Sequence, residues 1–259
     1  MAAITGLDHV ILAVAALDAA RDTWRRLGFT VTPRGRHIGW GTANYCIMLE
    51  ADYIELLGVL DPTQFDNGLG ERLARDGEGL LGISLATRSA DSAAAAFEAA
   101  GAGGEPARDL ARLLDLPDGP VRPSFRLAYP VRRDAFGLSL FATEHRTPEL
   151  LRRPEWERHA NGATGVLRLD LPAPLAGPAL AAWAALDGAR FADDSVVVGG
   201  FTLGAGEQPM LHIATRDLDA CESALRAGHV AHARHPGEIR VPPLPGTGLA
   251  LRFAGSLPR

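Results

Sequence analysis

The sequence is short of cysteine, of long apolar runs and of clustered positive charge. Cys46 and Cys221 are its only cysteines, far apart and each within an apolar or amphipathic stretch. No Cys-x-x-Cys pair occurs, so a reduced, cytoplasmic chain is the simplest expectation and no disulfide is supported. No uninterrupted apolar segment is long enough to span a bilayer. The N-terminal stretch MAAITGLDHVILAV has no basic region before its apolar run, and Asp8 and His9 interrupt that run, so it does not read as a signal peptide. The formal net charge is -5 with no long basic tract, which argues against nucleic acid and anionic membrane as partners. A phosphate-cradling loop ending in Lys-Ser/Thr and a Gly-x-Ser-x-Gly elbow are also missing. The glycine-rich stretch 68–82 is acidic and reads as a short helix between loops.

What the sequence does contain is repetition. With 47% hydrophobic and 22% charged residues it can build a sizeable core, and 259 residues allow one large or two small domains. Residues 7–14, LDHVILAV, read as a strand, and 17–28, LDAARDTWRRLG, as a helix ending at a glycine. The same strand–helix unit returns at 81–101, 165–188 and 209–228, with Trp24, Phe97, Trp183 and Ala224 in equivalent places near the helix end. Strand-rich sequence follows each helix. In the first unit strands are expected at about 29–34, 42–50 and 53–60, with a tight turn at Ala51-Asp52. Strands near 125–130 and 138–143 belong to the second unit, FADDSVVVGGFTLG to the third, and EIRVPP and GLALRFAG to the fourth. One helix followed by several strands differs from the regular alternation of a parallel α/β sheet. The reading is therefore α+β, with paired βαβββ modules forming cupped mixed sheets.

The opening LDHVILAVAALDAARDTWRRLGF resembles the start of vicinal-oxygen-chelate proteins, the superfamily of glyoxalase I, extradiol dioxygenases and the fosfomycin- and bleomycin-resistance proteins. The stretch GRHIGWGTANYCIMLEADYIELLGV, with His37, Gly39, Gly41, Thr42 and Asn44, resembles a glyoxalase-like subgroup, as does the connector EHRTPELLRRPEWERHANGA at 144–163. The resemblance is strongest over 6–60, continues through 81–165 and fades beyond. It implies a glyoxalase/dioxygenase-like fold with a first domain at 1–150 built of two modules, a connector at 151–164 and a degenerate second half at 165–259. It also implies a cup holding a divalent metal, with ligands from the first and fourth strands of each module. Such a metal stabilises an enediolate or holds a catechol and O2 together.

By that pattern His9 and Glu55 are the first module's metal ligands. Strand alternation puts His9 with Leu7 and Ile11, and Glu55 with Tyr53 and Leu57. Charged side chains in apolar strands are costly unless paired or metal-bound. A core histidine bonded to a carbonyl and a buried salt bridge to an arginine are the respective alternatives. The second module departs from the pattern: its equivalent positions are Gly82 and Phe141, with Ser84 on Gly82's face and Glu144 and His145 nearby. His145 is the candidate third ligand and, with Glu55, a candidate catalytic group. His37, Trp40, Asn44 and Ser84 are candidate substrate contacts, Trp40 as a cover for the pocket mouth. In the second half the matching positions are Arg168, Pro209 or Met210, and Arg252, with His212 nearby, which suits a scaffold or binding role. His229, His232 and His235 read as surface histidines, and Arg132 and Arg133 beside Asp134 as a solvated hairpin tip.

Two functions stay open. One is a lyase, isomerase or dioxygenase acting on a small oxygenated substrate, with Zn, Ni, Mn or Fe(II) or with His9, Glu55 and His37 as metal-free acid–base groups. The other is a non-catalytic, resistance-type binding protein using the same cup. The partner is a small molecule in either case, and both a monomer and a homodimer are compatible with four modules.

Overall fold

The computed structural model describes residues 2–133, 135, 138–172 and 180–255. The first module runs β1 (Gly6–Ala13), α1 (Leu17–Arg26), β2 (Gly35–His37), β3 (Thr42–Met48) and β4 (Tyr53–Val59). A short helix, α2 (Leu69–Asp76), leads to the second: β5 (Gly79–Ala86), α3 (Ala90–Ala99), β6 (Arg108–Leu114), β7 (Ser124–Ala128) and β8 (Ser139–His145). The third contributes β9 (Ala163–Pro172), β10 (Ala189–Ala192), β11 (Ser195–Val198) and β12 (Phe201–Gly206). The fourth is β13 (Met210–Thr215), α4 (Leu218–Ala227), β14 (Ala233–His235), β15 (Glu238–Val241) and β16 (Ala250–Gly255). Residues 173–179, at the start of the third module's expected helix, lie outside the described residues, as does Asp134 of the expected hairpin tip.

The first two modules form one eight-stranded sheet in the order β1-β4-β3-β2-β6-β7-β8-β5, which closes into a barrel through β1 and β5. The last two form an eight-stranded sheet that stays open, β10-β11-β12-β9-β13-β16-β15-β14. The fold is thus α+β, with one cup curled shut and the other open.

The helices form where apolar residues recur every three or four positions. On α1 this stripe buries Ala20, Thr23 and Trp24, and Leu27 continues it. Gly28 follows with φ of 87°, in the left-handed region that closes a helix. Ser89 and Asp217 cap α3 and α4 by accepting backbone N–H groups of the first turn.

Two strand expectations change. Residues 29–34 do not join the ladder, and β2 begins later, at Gly35. Phe29 and Val31 are instead drawn into the apolar core, while Thr32 meets Cys46 by a single backbone bond, its N–H donating to the Cys46 carbonyl at 2.9 Å, and by its hydroxyl, which accepts the Cys46 N–H at 3.0 Å. Strand β6 lies in RDLARLL, where charged and apolar residues alternate too irregularly to signal a strand.

One apolar cluster runs through both halves, from Leu7 and Trp24 to Leu225 and Phe253. A second, smaller cluster fills the barrel with Cys46, Met48, Tyr53, Leu114, Phe125 and Leu127, joined by Leu151 and Trp156 of the connector. The halves are also tied by polar contacts. Trp24 Nε1 donates to the Gly246 carbonyl at 2.9 Å, and Asn161 Nδ2 donates to that of Leu27 at 2.9 Å. Arg152 donates to the carbonyls of Leu49 and Ala51 in the β3–β4 turn.

In that turn the buried Asp52 carboxylate accepts the Val166 N–H at 3.1 Å. Burial pushes this carboxyl up to about 7, against the opposing pull of Val166 and Arg152. The folded state therefore keeps a proton that the unfolded chain releases at lower pH, and stability is lost as pH rises from about 4 through about 7. The loss is at most about 4 kcal/mol. Asp52→Asn, whose amide oxygen still accepts from Val166, is expected to gain stability over the parent between pH 4 and pH 8 in urea unfolding; an unchanged difference would show that Asp52 is not desolvated.

Candidate functional site

The polar residues of the barrel gather at its first strand. Between β1 and β5 the register passes from Leu7 opposite Leu85 to His9 opposite Ser84, so Asp8 is an extra residue, a β-bulge. The bulge reverses the alternation expected for this strand. Leu7 packs with the large core, whereas Asp8 and His9, although consecutive, join one hydrogen-bonded group inside the barrel. His9 Nδ1 pairs with Asp8 Oδ1 at 2.6 Å, and His9 Nε2 faces Glu55 Oε2 at 3.4 Å. The ring stacks on Tyr53, with centroids 4.4 Å apart, and meets the edge of Phe141 at 5.6 Å.

The network extends both ways. His145, at the end of β8, places Nε2 2.8 Å from the other Asp8 oxygen. On the far side Asn44 donates to Glu55 Oε1, and its own oxygen accepts from Arg112 Nη1. Gly35 faces this contact across β2 and β3, where a Cβ would collide with Asn44 and Arg112. His9, Glu55, Asp8, Asn44 and Arg112 are all buried.

Burial by itself would neutralise these groups, and pairing reverses that. Burial opposes the His9 charge, but hydrogen bonds to Asp8 and Glu55 outweigh it and raise its pKa to about 9. Burial likewise opposes the Glu55 charge, which His9 restores by holding the carboxyl at about 2. Asp8 is held well below the ordinary carboxylate range by His145 and His9, again against burial. At neutral pH the group is an imidazolium between two carboxylates.

A cavity lies at the barrel mouth, next to this network rather than lined by it. This cavity of about 260 Å³ is lined by His37, Trp40, Thr42, Leu60, Asp61 and Gln64 among others. Trp40 is 36% exposed and packs edge-on against Phe65, centroids 5.0 Å apart. Gly41 lets this loop close, since its N–H donates to the Phe65 carbonyl and a Cβ there would strike the Asp61 carbonyl. His37 Nδ1 pairs with Thr42 Oγ1 at 2.8 Å, and burial pushes its pKa down.

The structure thus brings His9, Glu55 and Asn44 into one network and places His37 and Trp40 at the cavity. His145 hydrogen-bonds to the network through Asp8 and meets the edge of Tyr53. Ser84 is fully buried and bonded to Thr143 Oγ1 at 2.7 Å, away from the cavity. Neither open alternative describes His9 and Glu55 fully. His9 bonds carboxylates rather than a carbonyl, and Glu55 meets its arginine through Asn44. Asp8 and Arg112 were not anticipated. Asp8 has a weak signal, a charged residue beside His9 in an apolar run; Arg112 has none, because a buried arginine reads like a surface one.

In the second half Arg168 and His212 converge on Asp170, with His212 Nε2 2.7 Å from it, and Arg252 bonds both His212 and Glu238. Among the three late histidines, His232 Nδ1 is within 2.8 Å of the Val230 carbonyl, and His235 is exposed on β14.

Paired βαβββ modules around one barrel define a vicinal-oxygen-chelate fold. The family model for a glyoxalase-like domain matches residues 7–186, and the chain belongs to that family. A hypothetical protein from Staphylococcus aureus is similar over 97% of this chain and 99% of its own, with a TM-score of 0.69 and 13% identity. The Mn(II)-bound glyoxalase from Novosphingobium aromaticivorans is similar over 98% of this chain and 83% of its own, at a TM-score of 0.57 and 14% identity. A mutant 4-hydroxymandelate synthase from Streptomyces coelicolor follows at 98% and 93%, a TM-score of 0.56 and 13% identity. These likenesses show the fold. Among curated proteins, none matches this sequence closely enough to count as a relative.

Since that glyoxalase binds Mn(II), the donor set here needs testing. The register pairs Ile11 with Glu55 and Ser84 with Phe141, which makes Gly82 and Phe141 the second-module counterparts of His9 and Glu55. Neither can bind a metal, and the Phe141 ring occupies the side of His9. His145 is turned to Asp8, and among the described residues no three His, Cys, Asp or Glu side chains converge as a metal site. Two donors fall short of the three that catalytic metals usually keep. The residues present do not fit a catalytic divalent ion.

Because the His9 pKa is raised from 6.5 to about 9, its contribution to stability is complete below pH 6.5 and lost as pH rises through 9. Unfolding measured at pH 6.5 and pH 10 is expected to show this loss in the parent and not in His9→Gln; equal losses in both would place the charge elsewhere.

Proposed function

We propose that the chain binds a small oxygenated molecule at the barrel mouth and catalyses a proton transfer on it, of the isomerase or lyase kind, without a divalent metal. The observation that carries this reading is the His9 imidazolium facing the Glu55 carboxylate at 3.4 Å with the fold's other two donor positions taken by Gly82 and Phe141. A carbonyl compound reaching this pair would accept a hydrogen bond from His9 Nε2 on its oxygen, while Glu55 Oε2 takes a proton from the adjacent carbon. Electrons of the broken C–H bond move into the carbonyl, and His9 delivers its proton to the resulting oxyanion. Glu55 then returns a proton to carbon while the enol O–H gives its proton back to His9, which regenerates both groups. Separating the two ions removes part of their mutual stabilisation, so the Glu55 pKa rises and the His9 pKa falls when substrate enters. His145 acts through Asp8, which fixes the His9 ring. His37 and Trp40 contact the ligand.

Non-catalytic binding is the second reading. It is favoured by the polar groups of Asp8, His9 and Glu55 being already bonded to one another. Glu55→Gln separates the two: turnover of any identified substrate should fall at least about 100-fold, with binding nearly unchanged. Turnover that survives the substitution would remove Glu55 from the chemistry. Elemental analysis of untagged protein is expected to find no stoichiometric Zn, Ni, Mn or Fe, and none of these ions should raise Tm. A stoichiometric ion lost in His9→Gln would overturn the metal-free reading.

A further inference from the structure

Arg112 is 4% exposed and stands opposite His37 in the β2–β6 ladder; His37 and the adjacent Leu113 line the mouth cavity, whereas Arg112 does not. Among the described residues its guanidinium forms no direct ion pair, and Glu55 acts on it from beyond Asn44, although buried guanidinium groups normally take a direct counterion. Its contacts are few. Nη1 donates to Asn44, both Nη atoms reach Cys46 Sγ at 3.4 to 3.5 Å, and the guanidinium carbon lies 5.9 Å from the Phe125 ring centre. Burial pushes the Cys46 thiol up, so it remains a neutral, weak acceptor. Nε is buried and finds no acceptor among the described residues. Asn44 therefore holds one corner of the fork, and the Nε–Nη2 edge is left with sulfur alone. That edge presents two parallel N–H groups, the arrangement that receives a carboxylate in bidentate fashion.

We infer that the ligand of this barrel carries a carboxylate, and that Arg112 binds it along its Nε–Nη2 edge. Only the location of the ligand rests on the function proposed above. Asn44 joins Arg112 to Glu55, and Glu55 faces His9, so a carboxylate on Arg112 brings the neighbouring carbon toward that pair. His37, kept neutral by burial, and Thr42 remain for an uncharged oxygen at the other end. An acid reaching Arg112 from the mouth cavity of about 260 Å³, below the roughly 300–1,000 Å³ of drug-sized pockets, is a compact one.

The test pairs acids with their uncharged amides: 2-oxobutyrate with 2-oxobutanamide, 3-hydroxybutyrate with 3-hydroxybutanamide, and benzoate with benzamide. Binding is read as a shift in Tm and a change in tryptophan fluorescence at pH 7. At least one acid is expected to bind 10-fold or more tightly than its amide. Arg112→Met should erase that preference, and Arg112→Lys should keep it in weakened form. The parent protein's acid-to-amide ratio decides the matter even if Arg112→Met fails to fold. Amides that bind as well as acids, a preference that persists in Arg112→Met, or no acid binding at all would overturn the inference. Equal binding of acid and amide, both lost in Trp40→Ala, would overturn it while leaving the mouth cavity as the ligand site.

Discussion

A charged imidazole enclosed in an apolar barrel is tolerable only with its counterions fixed in place, and much of the first half follows from that requirement. His9 needs a carboxylate on each ring nitrogen. Glu55 comes from the neighbouring parallel strand, but the second has to come from β1 itself, and a regular strand would turn Asp8 outward. The bulge at Asp8 turns two consecutive residues inward. Asp8 then has a second oxygen to satisfy, and His145 meets it. Glu55 likewise has a second oxygen, met by Asn44, whose own oxygen draws in Arg112. The chain of contacts crosses the barrel from β8 to β6.

How much of this was legible in the sequence depended on the range of the interaction. The βαβββ repeat is written in local periodicity, and the modules appeared where the strand–helix–glycine units recur. His9, Glu55 and Asn44 stood out because polar residues in apolar strands are conspicuous. Arg112 was hidden because its meaning depends on the β2–β6 ladder, which spans most of two modules. The bulge was hidden for a similar reason. A one-residue register shift depends on the partner strand, and alternation counted along β1 alone gives Leu7 the wrong face. Residues 29–34 read as a strand because their β-branched and aromatic content suits either a ladder or a core, and the core won.

His145 is the candidate whose position and contacts differ most. It lies at the strand end where a third donor would be expected, and the fold brings it to the network. Its Nε2 contacts Asp8, and through Asp8 it connects with His9. The same chemistry recurs in altered form in the second sheet, where Asp170 is shared by Arg168 and His212. There arginines stand where the first half has an acid and an imidazole.

The two halves close differently, and that has a bearing on solubility. The barrel pairs every strand on both sides, whereas the second sheet ends in β10 and β14, each with one side unpaired among the described residues. Free strand edges invite other chains to add to the sheet. Here β10 is four residues long and β14 three. Arg190 lies exposed on β10, and Arg234 on β14 is tied back to Asp219 and Glu222 of α4. Shortness limits intermolecular strand pairing at both borders and charge does so at β14, while Phe191, 61% exposed on β10, leaves that border partly apolar.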